Sequence, residues 1–226
     1  MSPTPPPSNP PETPRTGRRF RGVALEDRQA ERRKKLIEAG IEVFGHSGFH
    51  GATVRQVCVA AGLTERYFYE SFSNREALFG AVYDHQAERL QQLILDTVAR
   101  APADLHQLVA AALRGLYEAV RNDPRLARIL FMEVFTVQNA MGERMPKAME
   151  GFTALLVGLL QRFLPPGHRP EADLTWVATG LVGASTQILT RWVLTGFRDP
   201  LDQVVGSCAL LFDALIDRVT QPVAAS

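Results

Sequence analysis

The stretch from Thr53 to Arg75, TVRQVCVAAGLTERYFYESFSNR, constrains this chain more than any other. Thr53 stands three residues before Gln56, the spacing of a capping box, and opens a helix whose buried side would be Val54, Val57, Cys58 and Ala61. Gly62 breaks that helix, since glycine adopts left-handed backbone without steric cost. Leu63 would plug the turn, Thr64 would cap the next helix, and Phe68 and Phe72, at i and i+4, would tie one face of it to the core. The opposite face is left free: Glu65, Arg66, Tyr67, Tyr69 and Glu70. Two short helices joined by a glycine turn, the second presenting Arg, Tyr and other hydrogen-bonding groups, match the element that enters a DNA major groove. Ser73-Asn74-Arg75-Glu76 reads as a second capping box and opens the following helix.

At these residues the chain resembles the tetracycline-repressor (TetR) family of bacterial one-component regulators. The likeness runs from about Arg28 to Leu78, through LIEAGIEVFGHSGFHGATVRQVCVAAGLT and RYFYESF, with Arg75 where the family usually has Lys. Phe44, Gly48, Thr53, Gly62, Tyr69, Phe72 and Arg75 carry it by their spacing. The chain departs from the family at Arg66-Tyr67, where Gly-Thr is common, and at Ser71, where a second Tyr or His is common; both bear on the operator sequence. The resemblance implies that Tyr69, Thr53 and Arg75 anchor phosphates, that Arg66, Tyr67, Glu65 and Arg55 approach bases, and that Thr64 belongs to the same surface.

With 226 residues, 46% of them hydrophobic, the chain has material for a substantial core and for one large or two small domains. Charge is unevenly placed: residues 1 to 72 carry 11 basic and 8 acidic side chains, a balance of +3, against 14 and 16, or −2, in residues 73 to 226. Only the first third therefore has the sign a polyanion prefers. Cys58 and Cys208 fall on apolar helix faces and suggest no disulfide framework, which together with the lack of a signal peptide or membrane span predicts a cytoplasmic protein with no membrane partner.

Met1 to about Gly22 holds seven of the fifteen prolines and is read as a disordered tail ending in a basic arm, Arg15, Arg18, Arg19 and Arg21, suited to phosphates or a minor groove. Residues 23–73 form the helix-turn-helix unit and 74–226 a ligand-binding and dimerisation unit. Helix 1 is expected from about Glu26 to Ser47 and helix 4 from Asn74 to about Arg100. Asp123-Pro124 and Asp199-Pro200 are cap-and-proline pairs that start helices 6 and 9, and helix 8 should run from about Glu171 to Thr195. No alternating run argues for a strand, so the fold class is all-α with about nine helices.

Helix 8 has two apolar stripes and needs two partners. Its residues Leu181, Ala184 and Ile188, with Cys208, Leu211 and Leu215 of helix 9, are the expected dimer contacts, Gly180 and Gly183 allowing close approach. In the resembling family these helices pair with their symmetry mates as a four-helix bundle. Phe131, Phe135, Met145, Met149, Phe152, Trp176 and Gln187 are the expected lining of a pocket for an apolar or aromatic molecule. No phosphate loop, nucleophile elbow or metal-spaced His and Cys set is present, and Asp84, His85 and Glu88 read as a solvated helix face. The chain is therefore expected to catalyse nothing, to need no metal or cofactor, and to act as a homodimeric repressor released from a pseudo-palindromic operator by a small effector, with helix 4 as the lever. The alternative is a small-molecule binding or interaction protein whose helix-turn-helix no longer works on DNA.

Overall fold

The computed structural model describes residues 17–137, 141–164 and 172–220, with residues 17–25 and the last two of the final helix described by their backbone. All described regular structure is helical: α1 (Gly17–Gly51), α2 (Val54–Ala61), α3 (Glu65–Ser71), α4 (Arg75–Arg100), α5 (Leu105–Asn122), α6 (Pro124–Ala127), α7 (Arg144–Phe163), α8 (Leu174–Leu194) and α9 (Leu201–Thr220). Of the tail, residues 1–16 and with them Arg15 lie outside the described residues; the backbone is already helical from Gly17, ahead of the boundary expected at Gly22.

The first three helices close around aromatic rings. Phe44 meets Phe79 of α4 edge-on at 5.3 Å and stacks on Phe49 at 5.9 Å, while Phe49 also meets Phe79 at 5.4 Å. Phe44, Phe68, Phe79 and Leu36 are completely buried, and each such side chain contributes about 1.5 to 3 kcal/mol through lost apolar hydration. At Gly48 α1 kinks, with φ 71°, and the carboxylate of Glu133 lies 2.5 Å from where a β-carbon would stand. A side chain there would meet both backbone strain and that carboxylate.

The capping devices are mostly where sequence puts them, with two shifts. Thr53 and Gln56 form the full capping box, and Gly62 ends α2 in left-handed geometry, φ 64°, donating to the carbonyls of Cys58 and Val59. Thr64 occupies the N-cap position of α3 but its side chain makes no cap bond. Helix α4 is capped one residue later than expected, by Asn74 Oδ1 accepting from Ala77 N at 2.7 Å.

The sixth helix departs most from expectation. Asp123 caps it and Pro124 starts it, but it stays α-helical only to Ala127, then widens into a π turn over Arg128–Met132 and tightens into a 3-10 turn over Glu133–Phe135. These register changes alternate the segment between two neighbours. Arg128 and Glu133 reach α1, whereas Leu130, Phe131, Val134 and Phe135 face the interior of the C-terminal helices.

Candidate nucleic-acid interface and effector cavity

Helix α3 is held as a short rod with one face free. Phe68 is buried, Phe72 nearly so, and the Arg33 guanidinium of α1 lies 4.2 Å over the Phe72 ring while donating to the Ser71 carbonyl at 3.0 Å. On the outward side Arg66 is 84% exposed, restrained only by Glu70 at 3.1 Å, and Tyr69 is 58% exposed. Glu65, Thr64 and Arg55 are also exposed, Thr64 with its hydroxyl unused as a cap. Tyr67 leans back: the Arg32 guanidinium sits 4.4 Å over its ring, so Arg32 comes into this surface as a cation that sequence spacing did not single out.

Two expected phosphate anchors carry other duties. The Thr53 hydroxyl donates to Gln56 Oε1 at 2.8 Å and accepts from Gln56 N at 3.2 Å, so it stands exposed but within its own capping box. Arg75 donates to the Ala52 carbonyl at 2.5 Å and lies 4.2 Å over the Phe49 ring. Its guanidinium thereby ties the start of α4 to the turn before α2, a positioning duty. Cys58 is buried beneath this surface, and burial, with the Glu65 carboxylate nearby, pushes its thiol up, leaving it an inert core side chain.

Behind this unit helices α4, α5, α7 and α8 and the 128–135 segment enclose a cavity of about 430 Å³, within the range of small-molecule sites. Phe131, Phe135, Met145, Met149 and Phe152 line it, together with Leu90 and Ile94 of α4 and Leu113 of α5. Polar groups on the wall are few. Tyr83 is one, and burial pushes its hydroxyl up to about 12, so it stays protonated. Ser185 is another: it is 6% exposed, its carbonyl accepts from Tyr117 Oη at 3.0 Å, and its own Oγ, although near the Cys208 thiol, makes no hydrogen bond of ordinary geometry. Gln86 of α4 is likewise buried with both amide atoms unpartnered.

Two expected lining residues do not belong to the cavity. Trp176 is 77% exposed and Gln187 is also on the outside of α8. Helical spacing places both on a stripe with Gly180, Gly183 and Leu194, all exposed. The expected dimer contacts divide in the same way. Leu181 and Cys208 are 2% and 0% exposed and point into the protomer's own core, Ala184 and Ile188 are half-buried, and only Leu211 and Leu215 lie outside. Leu210, 69% exposed, joins those two on the outside of α9. The reason lies in the two apolar stripes of α8: composition could not say which one the protomer keeps.

Among the described residues no group of three His, Cys, Asp or Glu side chains could hold a metal ion, and Asp84 pairs with Arg144 of α7. No described helix is long and apolar enough to cross a membrane.

Residues 36–82 match the family model of the bacterial regulatory proteins of the tetR family. Over this segment, which holds the helix-turn-helix, the chain is similar to TetR-family regulators. It is read with them as a DNA-binding transcriptional regulator. Along most of its length the chain is similar to an uncharacterized HTH-type transcriptional regulator, YdgC of Bacillus subtilis, with 26% identity, covering 78% of the chain and 88% of that protein. It is also 25% identical to the HTH-type transcriptional activator FasR of Mycolicibacterium smegmatis, covering 72% of the chain and 73% of that protein. In fold it is similar to the transcriptional regulator FadR from Bacillus subtilis, solved in complex with stearoyl-CoA, with TM-score 0.65, 18% identity, and 79% and 96% of the two chains covered.

Proposed function

We propose that this chain is a homodimeric repressor of TetR type that grips a pseudo-palindromic operator with α3 and releases it when an elongated apolar molecule fills the cavity. The observation that carries this reading is the 128–135 segment. One side of it lines the cavity, while the other clasps the end of α1, with Glu133 Oε2 accepting from Phe49 N at 3.1 Å and Arg128 donating to the His46 carbonyl at 2.6 Å. An occupant that displaces Phe131 or Phe135 would therefore also move α1, alongside α4, which lines the cavity with its middle and holds the helix-turn-helix with its first turn. A ligand releases DNA only through its differential affinity for the two arrangements.

The C-terminal helices would supply dimerisation through outward residues of α8 and α9, Gly180, Gly183, Leu210, Leu211 and Leu215. Two copies of α3 would then be presented about one helical turn of DNA apart. Long-chain acyl groups are the first effector class to try, given the stearoyl-CoA bound by the FadR of similar fold.

Footprinting on genomic fragments tests the proposal. It should reveal paired half-sites whose protection disappears on adding hexadecanoyl-CoA or hexadecanoate. The Arg66→Ala variant should lose about 1 to 3 kcal/mol on the preferred site and discriminate less at the base it reads. Single unpaired half-sites would contradict the dimeric reading, and equal loss on specific and random DNA would remove Arg66 as a base reader.

A further inference from the structure

We infer that Arg32 and Tyr67 act on DNA as one unit: the Tyr67 ring holds one face of the Arg32 guanidinium and leaves its N–H edge for a backbone phosphate beside the groove that α3 enters. Tyr67 then positions a cation and reads no base. This rests on α3 being the groove-entering helix. Three arginines of the N-terminal unit lie over aromatic rings, and they are used differently. Arg33, over Phe72, donates to the Ser71 carbonyl at 3.0 Å, and Arg75, over Phe49, donates to the Ala52 carbonyl at 2.5 Å. Both turn their donors to the protein's own backbone. Arg32 lies 4.4 Å over the Tyr67 ring and makes no hydrogen bond and no ion pair among the described residues. A guanidinium carries five N–H donors in its plane, and a ring against its face satisfies none of them. Arg32 therefore keeps a complete fork of donors, the geometry that takes a phosphate.

The surroundings of Arg32 have the sign such a contact needs. Arg28, Arg32 and Lys35 stand at i, i+4 and i+7, on one stripe of α1, with Arg28 and Lys35 exposed. None of the three has a carboxylate partner among the described residues, whereas Lys34, off the stripe, reaches Glu38 at 4.0 Å. Tyr67 joins that stripe to α3. It follows the 84% exposed Arg66 by one residue, so its side chain leaves the helix about 100° away and lies half-buried against α1. A ring turned to α1 is set back from the base edges that Arg66 can approach. What lies beside a groove is the phosphate backbone, whose contacts fix register without reading sequence.

Fluorescence-anisotropy titration of the full chain against the footprinted operator and a random duplex of equal length, between about 50 and 200 mM salt, tests this. Arg32→Gln should weaken both duplexes by the same factor and flatten the slope of log affinity against log salt by about one unit for each protomer bound. Arg32→Lys should restore the slope. Tyr67→Leu should cost about two- to fivefold on both duplexes alike, and nothing further when Arg32 is already Gln. Tyr67→Phe keeps the ring and should recover what Tyr67→Leu loses. An unchanged salt slope in Arg32→Gln would make Arg32 a packing residue and overturn the inference. Relaxed preference for the operator in Tyr67→Phe would return the hydroxyl to base reading and overturn it as well. In either case a loss of discrimination in Arg66→Ala would leave the reading of α3 standing. Absence of salt-dependent binding to both duplexes by the unsubstituted chain would overturn that reading and the inference together.

Discussion

The helices around α3 and the helices around the cavity are built from similar side chains and packed in opposite ways. In the first, Phe44, Phe49, Phe68, Phe72 and Phe79 meet ring against ring and leave Phe44, Phe68 and Phe79 completely buried. In the second, Phe131, Phe135, Met145, Met149 and Phe152 surround about 430 Å³ of open space. A closed aromatic core fixes the position of α3, as a groove-reading helix requires. A core left open gives up dispersion contacts and so leaves the place where binding an occupant yields most. Arg128 and Glu133, clasping α1 from a segment that lines the cavity, join the two regimes.

The largest expected effect separates the inward from the outward stripe of the C-terminal helices. Leu181→Lys buries an unpaired ammonium inside the protomer and should cost several kcal/mol, enough to unfold a marginal domain. Leu210→Lys, at a position 69% exposed, should leave thermal stability of the protomer nearly unchanged but abolish the dimer in light scattering. A Leu210→Lys protein that stays dimeric would move the interface off this face.

Next in size, Phe44→Ala should cost about 3 to 5 kcal/mol in denaturant titration, the range for truncating a close-packed ring. Phe152→Ala, beside space that already exists, should cost clearly less. Equal costs would show that the cavity is not a standing void in solution. A smaller effect of opposite sign is expected at Gly158, which lines the cavity inside α7 with nothing within 4 Å of an added β-carbon. Gly158→Ala should raise stability by about 0.5 to 1 kcal/mol through helix propensity while weakening acyl ligands; destabilisation would mean the wall is tighter than it stands.

The smallest effect concerns pH. His106 of α5 contacts Asp213 at 2.7 Å and Asp217 at 3.2 Å on α9. The hydrogen bond to Asp213 raises its pKa above the ordinary 6.5, against a smaller opposing effect of burial, with the charges of Asp213, Asp217 and Asp104 adding to the rise. Because the folded value lies above the unfolded one, the stabilisation is complete below about pH 6.5 and is lost as pH climbs through the raised folded value. The group is 42% exposed, so screening keeps the effect under about 1 kcal/mol. His106→Gln should flatten the dependence of melting temperature on pH above 6; an unchanged slope would assign it to other groups.

Much of the N-terminal unit was legible because its signals are local. A capping box, a left-handed glycine and two phenylalanines four residues apart act within one or two helical turns, so spacing alone placed α2, α3 and the free face bearing Arg66 and Tyr69. The chain itself likewise determined the all-helical class and the aromatic and methionine inventory from which five cavity residues were chosen. Tertiary structure decided what depends on neighbours distant in sequence. It turned Leu181 and Cys208 inward and Trp176 and Gln187 outward, because either apolar stripe of α8 satisfies the same periodicity and only packing against Tyr117 and its neighbours chooses between them. It also committed Arg75 to Ala52 and Phe49, and widened the sixth helix into a π turn in a segment whose residues serve two partners. Backbone preference and capping are written residue by residue; burial and charge pairing are properties of the assembled neighbours, and the chain discloses them only once it has folded.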